Sequence, residues 1–294
     1  LRLRLLGVAL GALTLAVAYL AARCVLPPAL AVSAPAAIAG VPMFSAVSAS
    51  VSADPLANLL AAILLLLLLR PRRPLILGLA LGAGVLTKLA LAMFLPLAAW
   101  RCPRQLLMVA AIAAVVVSPW LVHQVSTYGW SDPLAIGRHS AVVGDQPRFT
   151  GLTPDYLWSF LTITFHSFWA QFGWMAIVAP DRLYWSWAML VLVAAAGLIR
   201  RPEWVRQGEW RVLVATVLMA AIGYVSYNLA FTQFQGRYLF PALTPLACLW
   251  VRGWSAWLPE GSRGAGVYAV ASLLLVLNAY TLTRVLVLAW TPLG

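Results

Sequence analysis

The chain has 294 residues, 63% of them hydrophobic and only 10% charged, with a formal net charge of +12. That composition excludes an ordinary soluble domain, and continuous apolar runs such as LLAAILLLLLL (59–69) speak against the alternating strands of a β-barrel. The basic surplus is almost all arginine, without a basic tract that interleaves exposed aromatics, so nucleic acid is not an expected partner.

Ten apolar segments are predicted in chain order, at 3–22, 28–48, 55–69, 74–87, 89–99, 104–124, 183–199, 211–230, 237–256 and 266–290. The expected fold is therefore all-α: a polytopic transmembrane helical protein of about ten membrane segments, forming a single domain over 1–294. The first segment, LRLRLLGVALGALTLAVAYLAARC, is too long and too Arg-flanked for a signal peptide. It reads as a spanning helix that follows something missing, so the sequence is expected to be a fragment. The fourth and fifth segments are short, and suit a hairpin with Leu86, Thr87 and Lys88 at its tip. Pro42, Pro96, Pro119, Pro241 and Pro245 are expected to end or kink helices. Between the sixth and seventh segments lies the one long connection, 125–182. Its stretch TPDYLWSFLTITFHSFWAQFGWM (153–175) suits amphipathic helices lying at the membrane interface, as an aromatic belt or as the wall of a site.

Arginine counting gives an orientation. Arg23, Arg70, Arg72, Arg73, Arg101, Arg104, Arg200, Arg201, Arg206, Arg211, Arg252 and Arg263 fall in alternate connections, which marks that side as cytoplasmic. Asp54, Lys88, the connection 125–182 and Gln235–Arg237 then share the other face.

Three positions on that face stand out. Lys88 is the one lysine in the chain and interrupts the apolar run GVLTKLALAMFLP. At mid-bilayer it would cost on the order of 3 kcal/mol, whereas at a helix tip it either snorkels or meets an interfacial anion such as a lipid phosphate. Asp54, in SVSADPLANLL, either starts a helix or helps to hold a metal ion or a substrate hydroxyl. A lone carboxylate is a weak signal for magnesium or manganese. Arg237 enters a proline-kinked helix between Gln235 and Tyr238, as an interface anchor or as a bidentate phosphate ligand. His123, His139 and His166 are too widely spaced for a metal pattern, and Cys24, Cys102 and Cys248 form neither a disulfide framework nor a ligand set.

The stretches PMFSAVSASVSADPLANLLAAILLL, GLALGAGVLTKLALAMFLPLA, SFWAQFGWM and QGRYLFPALTPLA together resemble the polyprenol-phosphate-dependent glycosyltransferases of the C-type membrane fold. The nearest likeness is to the family 39 protein mannosyltransferases and aminoarabinose transferases. The resemblance implies an integral protein of a bacterial plasma membrane with an extracytoplasmic active face. It would move a sugar from a polyprenyl-phosphate-sugar donor to an acceptor that the sequence does not name. Its partners would be that lipid-linked donor and membrane lipids. On this likeness Lys88, Arg237 and Arg2 bind the donor phosphate, and Asp54 serves metal or acceptor binding, with magnesium or manganese as the candidate ion. Tyr238, Gln235, His166, Trp169 and Trp174 would line the site. The family's general-base carboxylate belongs to a loop ahead of the first segment here, so the span itself is expected not to catalyse transfer. The rival readings are a transporter or flippase, or a non-catalytic binder, of lipid-linked phosphates.

Overall fold

In the computed structural model, residues 1–71 and 73–290 are described; Arg72, one of the counted arginines, lies outside them. The chain opens with α1 (Arg2–Ala22). A broken stretch follows: α2 (Pro28–Ala31), α3 (Ser33–Ala39) and α4 (Pro42–Ser48), with a 69° bend between Pro28–Ala39 and Pro42–Ser48. Gly40 closes α3, and Pro42, which has no N–H to continue the ladder, opens α4 in a new direction.

Next come α5 (Asp54–Leu69) and α6 (Pro74–Thr87), then a 3₁₀ turn at Leu89–Met93, α7 (Phe94–Arg101) and α8 (Leu106–Tyr128). The long connection holds α9 (Ile136–Val142), α10 (Pro154–Trp169) and a hairpin of β1 (Gln171–Phe172) with β2 (Ile177–Val178). The chain returns through α11 (Asp181–Arg200) and α12 (Gly208–Asn228). It ends with a 3₁₀ stretch at Gly236–Ala242, α13 (Leu243–Ser255), α14 (Arg263–Thr281), a π-helical stretch at Leu282–Val287 and α15 (Leu288–Trp290).

All ten predicted apolar segments are helical, but the count of about ten crossings does not carry over. Among the described residues, five helices are long and apolar enough to cross a membrane, and a sixth crossing exists if the bent pair is one span. The reason is length. The 16 residues of α5 rise about 24 Å against a hydrocarbon core of about 30 Å, and α6 with 14 residues and α13 with 13 are shorter still. Continuous hydrophobicity identified the helices without measuring them. The molecule is an integral membrane protein, with Leu107, Val115 and Val122 of α8 turned outward as lipid-facing side chains.

Small residues set the packing. α3 lies among α1, α13 and α14, and its Ala34, Ala37 and Ile38 are fully buried. α11 and α13 cross where a Cβ on Gly253 would stand 2.0 Å from the Ala194 carbonyl oxygen, a backbone approach that only glycine allows.

The hairpin arithmetic places the ends. α5 runs from Asp54 to Leu69, and α6 runs back from Pro74 to Thr87, so Asp54 and Lys88 return to one end. At the opposite end Arg101 donates from Nε to the Leu68 carbonyl and pairs with Glu209 at 3.4 Å, while Arg200 lies over the Trp257 ring.

Candidate functional site

Asp54 is the first residue of α5, followed by Pro55 in the helix's first turn. Asp54 starts α5 but does not cap it through its side chain, because Ala53 holds the N-cap position. The Asp54 carboxylate is thereby left for other partners, and its side chain is only 14% exposed. One oxygen accepts from Lys88 Nζ, and the other stands 4.0 Å from Arg237 Nη1. Lys88 lies in the break between α6 and the 3₁₀ turn, with an extended backbone (φ −150°, ψ 124°) that turns its side chain out of the helix.

Arg237 arrives from the Gly236–Ala242 stretch, 149 positions further along the chain (237 minus 88). Its Nε donates to Gln235 Oε1 at 2.9 Å. The Tyr238 ring lies beneath both cations, 5.5 Å from Lys88 Nζ and 5.8 Å from the Arg237 guanidinium carbon. Two cations and one carboxylate leave this cluster with a net positive charge.

α10 fixes Arg237 in place. The Gly236 N–H donates to Ser167 Oγ at 2.7 Å, and Ser167 also faces the Phe234 carbonyl at 3.1 Å. Any side chain at Gly236 would collide with α10, since a Cβ there would be 2.2 Å from the Thr164 carbonyl oxygen. Further along the same face, Tyr156 donates to the Asn228 carbonyl at 2.9 Å, and Thr164 meets the Tyr224 hydroxyl at 2.7 Å. The spacing 156, 160, 164, 167 puts one stripe of α10 against the site, while Leu157, Trp158 and Leu161 point outward.

The cluster opens on a cavity of about 670 Å³ lined by Asp54, Lys88, Arg237 and Tyr238. Leu89, Met93, Met219, Ala220 and Pro241 give it apolar walls, and Leu134, Ile136 and His139 line it from the long connection. α9 holds that side. The Asp132 carboxylate accepts from the N–H groups of Gly137 (3.1 Å) and Arg138 (2.9 Å), which keeps its pKa below the usual carboxylate range.

The other predicted residues lie elsewhere. Arg2 is exposed at the start of α1 and does not line the cavity, although Gly7 against the Ser48 and Ser50 carbonyls places the start of α1 near Asp54's end. Gln235 acts through Arg237. His166 stacks on the Tyr184 ring with centroids 3.7 Å apart, and Trp169 is buried between Trp187 and Trp250. Trp174 is 93% exposed in the turn between β1 and β2. None of these three lines the cavity. The sequence reading missed Asn58, His139, Tyr224 and Tyr227, which do. Asn58 had a signal, one helical turn after Asp54; His139 had none, because its place depends on how α9 folds back.

The carboxylate lining the cavity faces two cations, and among the described residues no three His, Cys, Asp or Glu side chains gather as a metal-binding group. The residues present do not fit a resident magnesium or manganese ion.

Broken helices, short apolar hairpins and a polar cluster at one end make up an all-α membrane fold. One solved structure has it: the crystal structure of ArnT from Cupriavidus metallidurans bound to undecaprenyl phosphate matches with a TM-score of 0.58 at 17% sequence identity. The match covers 94% of this chain and 56% of that one, so this chain spans little more than half the length of its structural neighbour. No family model and no curated protein matches the sequence.

Proposed function

We propose that the cavity receives the phosphate end of a lipid-linked sugar donor, and that the whole protein transfers the sugar to an acceptor on the extracytoplasmic side. One observation carries this reading. Lys88 and Arg237, distant in sequence, converge on Asp54 beside a largely apolar cavity at one end of the helix bundle. A cation pair that outnumbers its carboxylate calls for an anion, and the apolar walls call for a lipid. Binding of undecaprenyl phosphate by the structural neighbour supports the same class of ligand.

In transfer, the acceptor hydroxyl gives its proton to a general base of the whole protein as its oxygen bonds to the anomeric carbon and the bond from that carbon to the phosphate oxygen breaks. The electron pair leaves with the lipid phosphate. Lys88 and Arg237 stabilise the charge that grows there. Asp54 is engaged by both cations before the donor arrives. The span thus supplies the leaving-group side of the reaction. The engagement of Asp54 equally favours the second reading, in which this span alone is a binder of lipid phosphates without transfer activity.

The test is binding of undecaprenyl phosphate to the purified chain in detergent. Lys88→Ala and Arg237→Ala are each expected to weaken it about ten- to a hundredfold, the worth of a charge-assisted hydrogen bond. Unchanged affinity in both variants would remove the phosphate assignment.

A further inference from the structure

Asn58 is a polar residue of the cavity that takes no part in the ion-pair cluster. α5 reads DPLANLLAAILLLLLL, a helix in which leucine or alanine fills nearly every position after the first turn. Asn58 interrupts it. The residue is 6% exposed, lines the cavity, and its Nδ2 has no hydrogen-bond partner among the described residues. A buried amide donor without a partner is costly, and a leucine of similar size would avoid the cost. Asn58 follows Asp54 by four residues, so the two side chains share one face of α5, about 6 Å apart. An anion held by Lys88 and Arg237 at Asp54 therefore comes within one turn of the amide. Rotation about the broad terminal torsion of asparagine swings the NH₂ group toward it.

We propose that Asn58 is a ligand-binding residue whose amide N–H donates to a phosphoryl oxygen of the lipid-linked donor. This rests on the phosphate reading of the cavity and adds a neutral third donor to its two cations. The neutral donor is aimed from the helix that carries Asp54, so it does not compete with Lys88 or Arg237 for the carboxylate. It holds the phosphate without further charge in an apolar wall.

The experiment measures affinity for a sugar-free and for a sugar-bearing polyprenyl phosphate, and the melting temperature of the full chain without lipid, for wild type, Asn58→Leu and Asn58→Asp. The expected result is a melting temperature for Asn58→Leu equal to or above wild type, with affinity roughly tenfold lower. Asn58→Asp, which adds a second carboxylate beside the phosphate, should weaken binding further. Wild-type affinity in Asn58→Leu would overturn the proposal while leaving the phosphate site standing. A lowered lipid-free melting temperature would also overturn it, because the amide would then serve the fold. Weakened affinity for a sugar-bearing donor only would move the contact to a sugar hydroxyl and overturn the phosphoryl assignment. No binding by wild type itself would instead remove the phosphate reading on which the proposal stands.

Discussion

Asp54 balances the site, and its removal separates two roles. With Asp54→Asn the two cations lose the anion that offsets them, so affinity for a sugar-free lipid phosphate is expected to rise severalfold. Weaker phosphate binding in Asp54→Asn would mean that Asp54 chiefly holds Lys88 and Arg237 in position. A chelator should leave lipid-phosphate binding unchanged, since the cavity offers a divalent ion only one carboxylate, already engaged. Lys88, Asp54 and Arg237 were legible in the sequence because a charge in an apolar run is locally expensive. Asn58 and His139 were not, the first carrying no charge and the second depending on the fold of α9. Trp169 misled for the opposite reason: an aromatic-rich stretch looks the same whether it lines a cavity or, as here, fills a stack with Trp187 and Trp250.

At the scale of elements, the site depends on α10 gripping the stretch that carries Arg237. Gly236→Ala would drive a methyl group into the Thr164 carbonyl and the Phe168 N–H, at 2.2 and 2.5 Å. It should lower stability by about 2–4 kcal/mol and lose lipid-phosphate binding with it, read as a lower melting temperature and weaker affinity in one sample. Ser167→Ala is milder. It leaves the buried Gly236 N–H without its acceptor and should cost about 1–3 kcal/mol. The seam between α10 and α11 carries a pH dependence. Burial against Tyr184 lowers the pKa of His166 from its ordinary 6.5, although Asp181 opposes the shift. The folded state thus prefers the neutral ring. The unfolded chain takes up the proton first as pH falls below about 6.5, so the stability is complete above that pH and is lost on acidification through the lower folded pKa. Thermal melts between pH 8 and pH 5 should show this loss, and His166→Phe should flatten it. The sequence showed that α10 is amphipathic; it did not show that its polar stripe docks on a segment some seventy residues later, because that pairing is made only in three dimensions.

For the whole molecule, the sequence pattern located the helices well and the crossings poorly. Apolar runs of 13 to 16 residues declare helix as firmly as runs of 20, yet α5, α6 and α13 are too short to span alone. Asp54, Lys88 and Arg237 meet at one end while Arg101 and Arg200 hold the other. If the arginine-rich end is cytoplasmic, a cysteine placed at Ser52 should react with an impermeant thiol reagent added outside intact cells, and one at Arg206 should not, in a background with Cys24, Cys102 and Cys248 replaced by alanine. The reverse labelling would invert the proposed orientation. The most direct test of the central claim is the affinity of the purified chain for a sugar-free polyprenyl phosphate, measured beside the Lys88→Ala/Arg237→Ala double variant. The account predicts that wild type binds and that the double variant loses at least a hundredfold in affinity while keeping its melting temperature within a few degrees. Equal binding by the two proteins would contradict it, because the phosphate would then be held somewhere other than at Lys88 and Arg237.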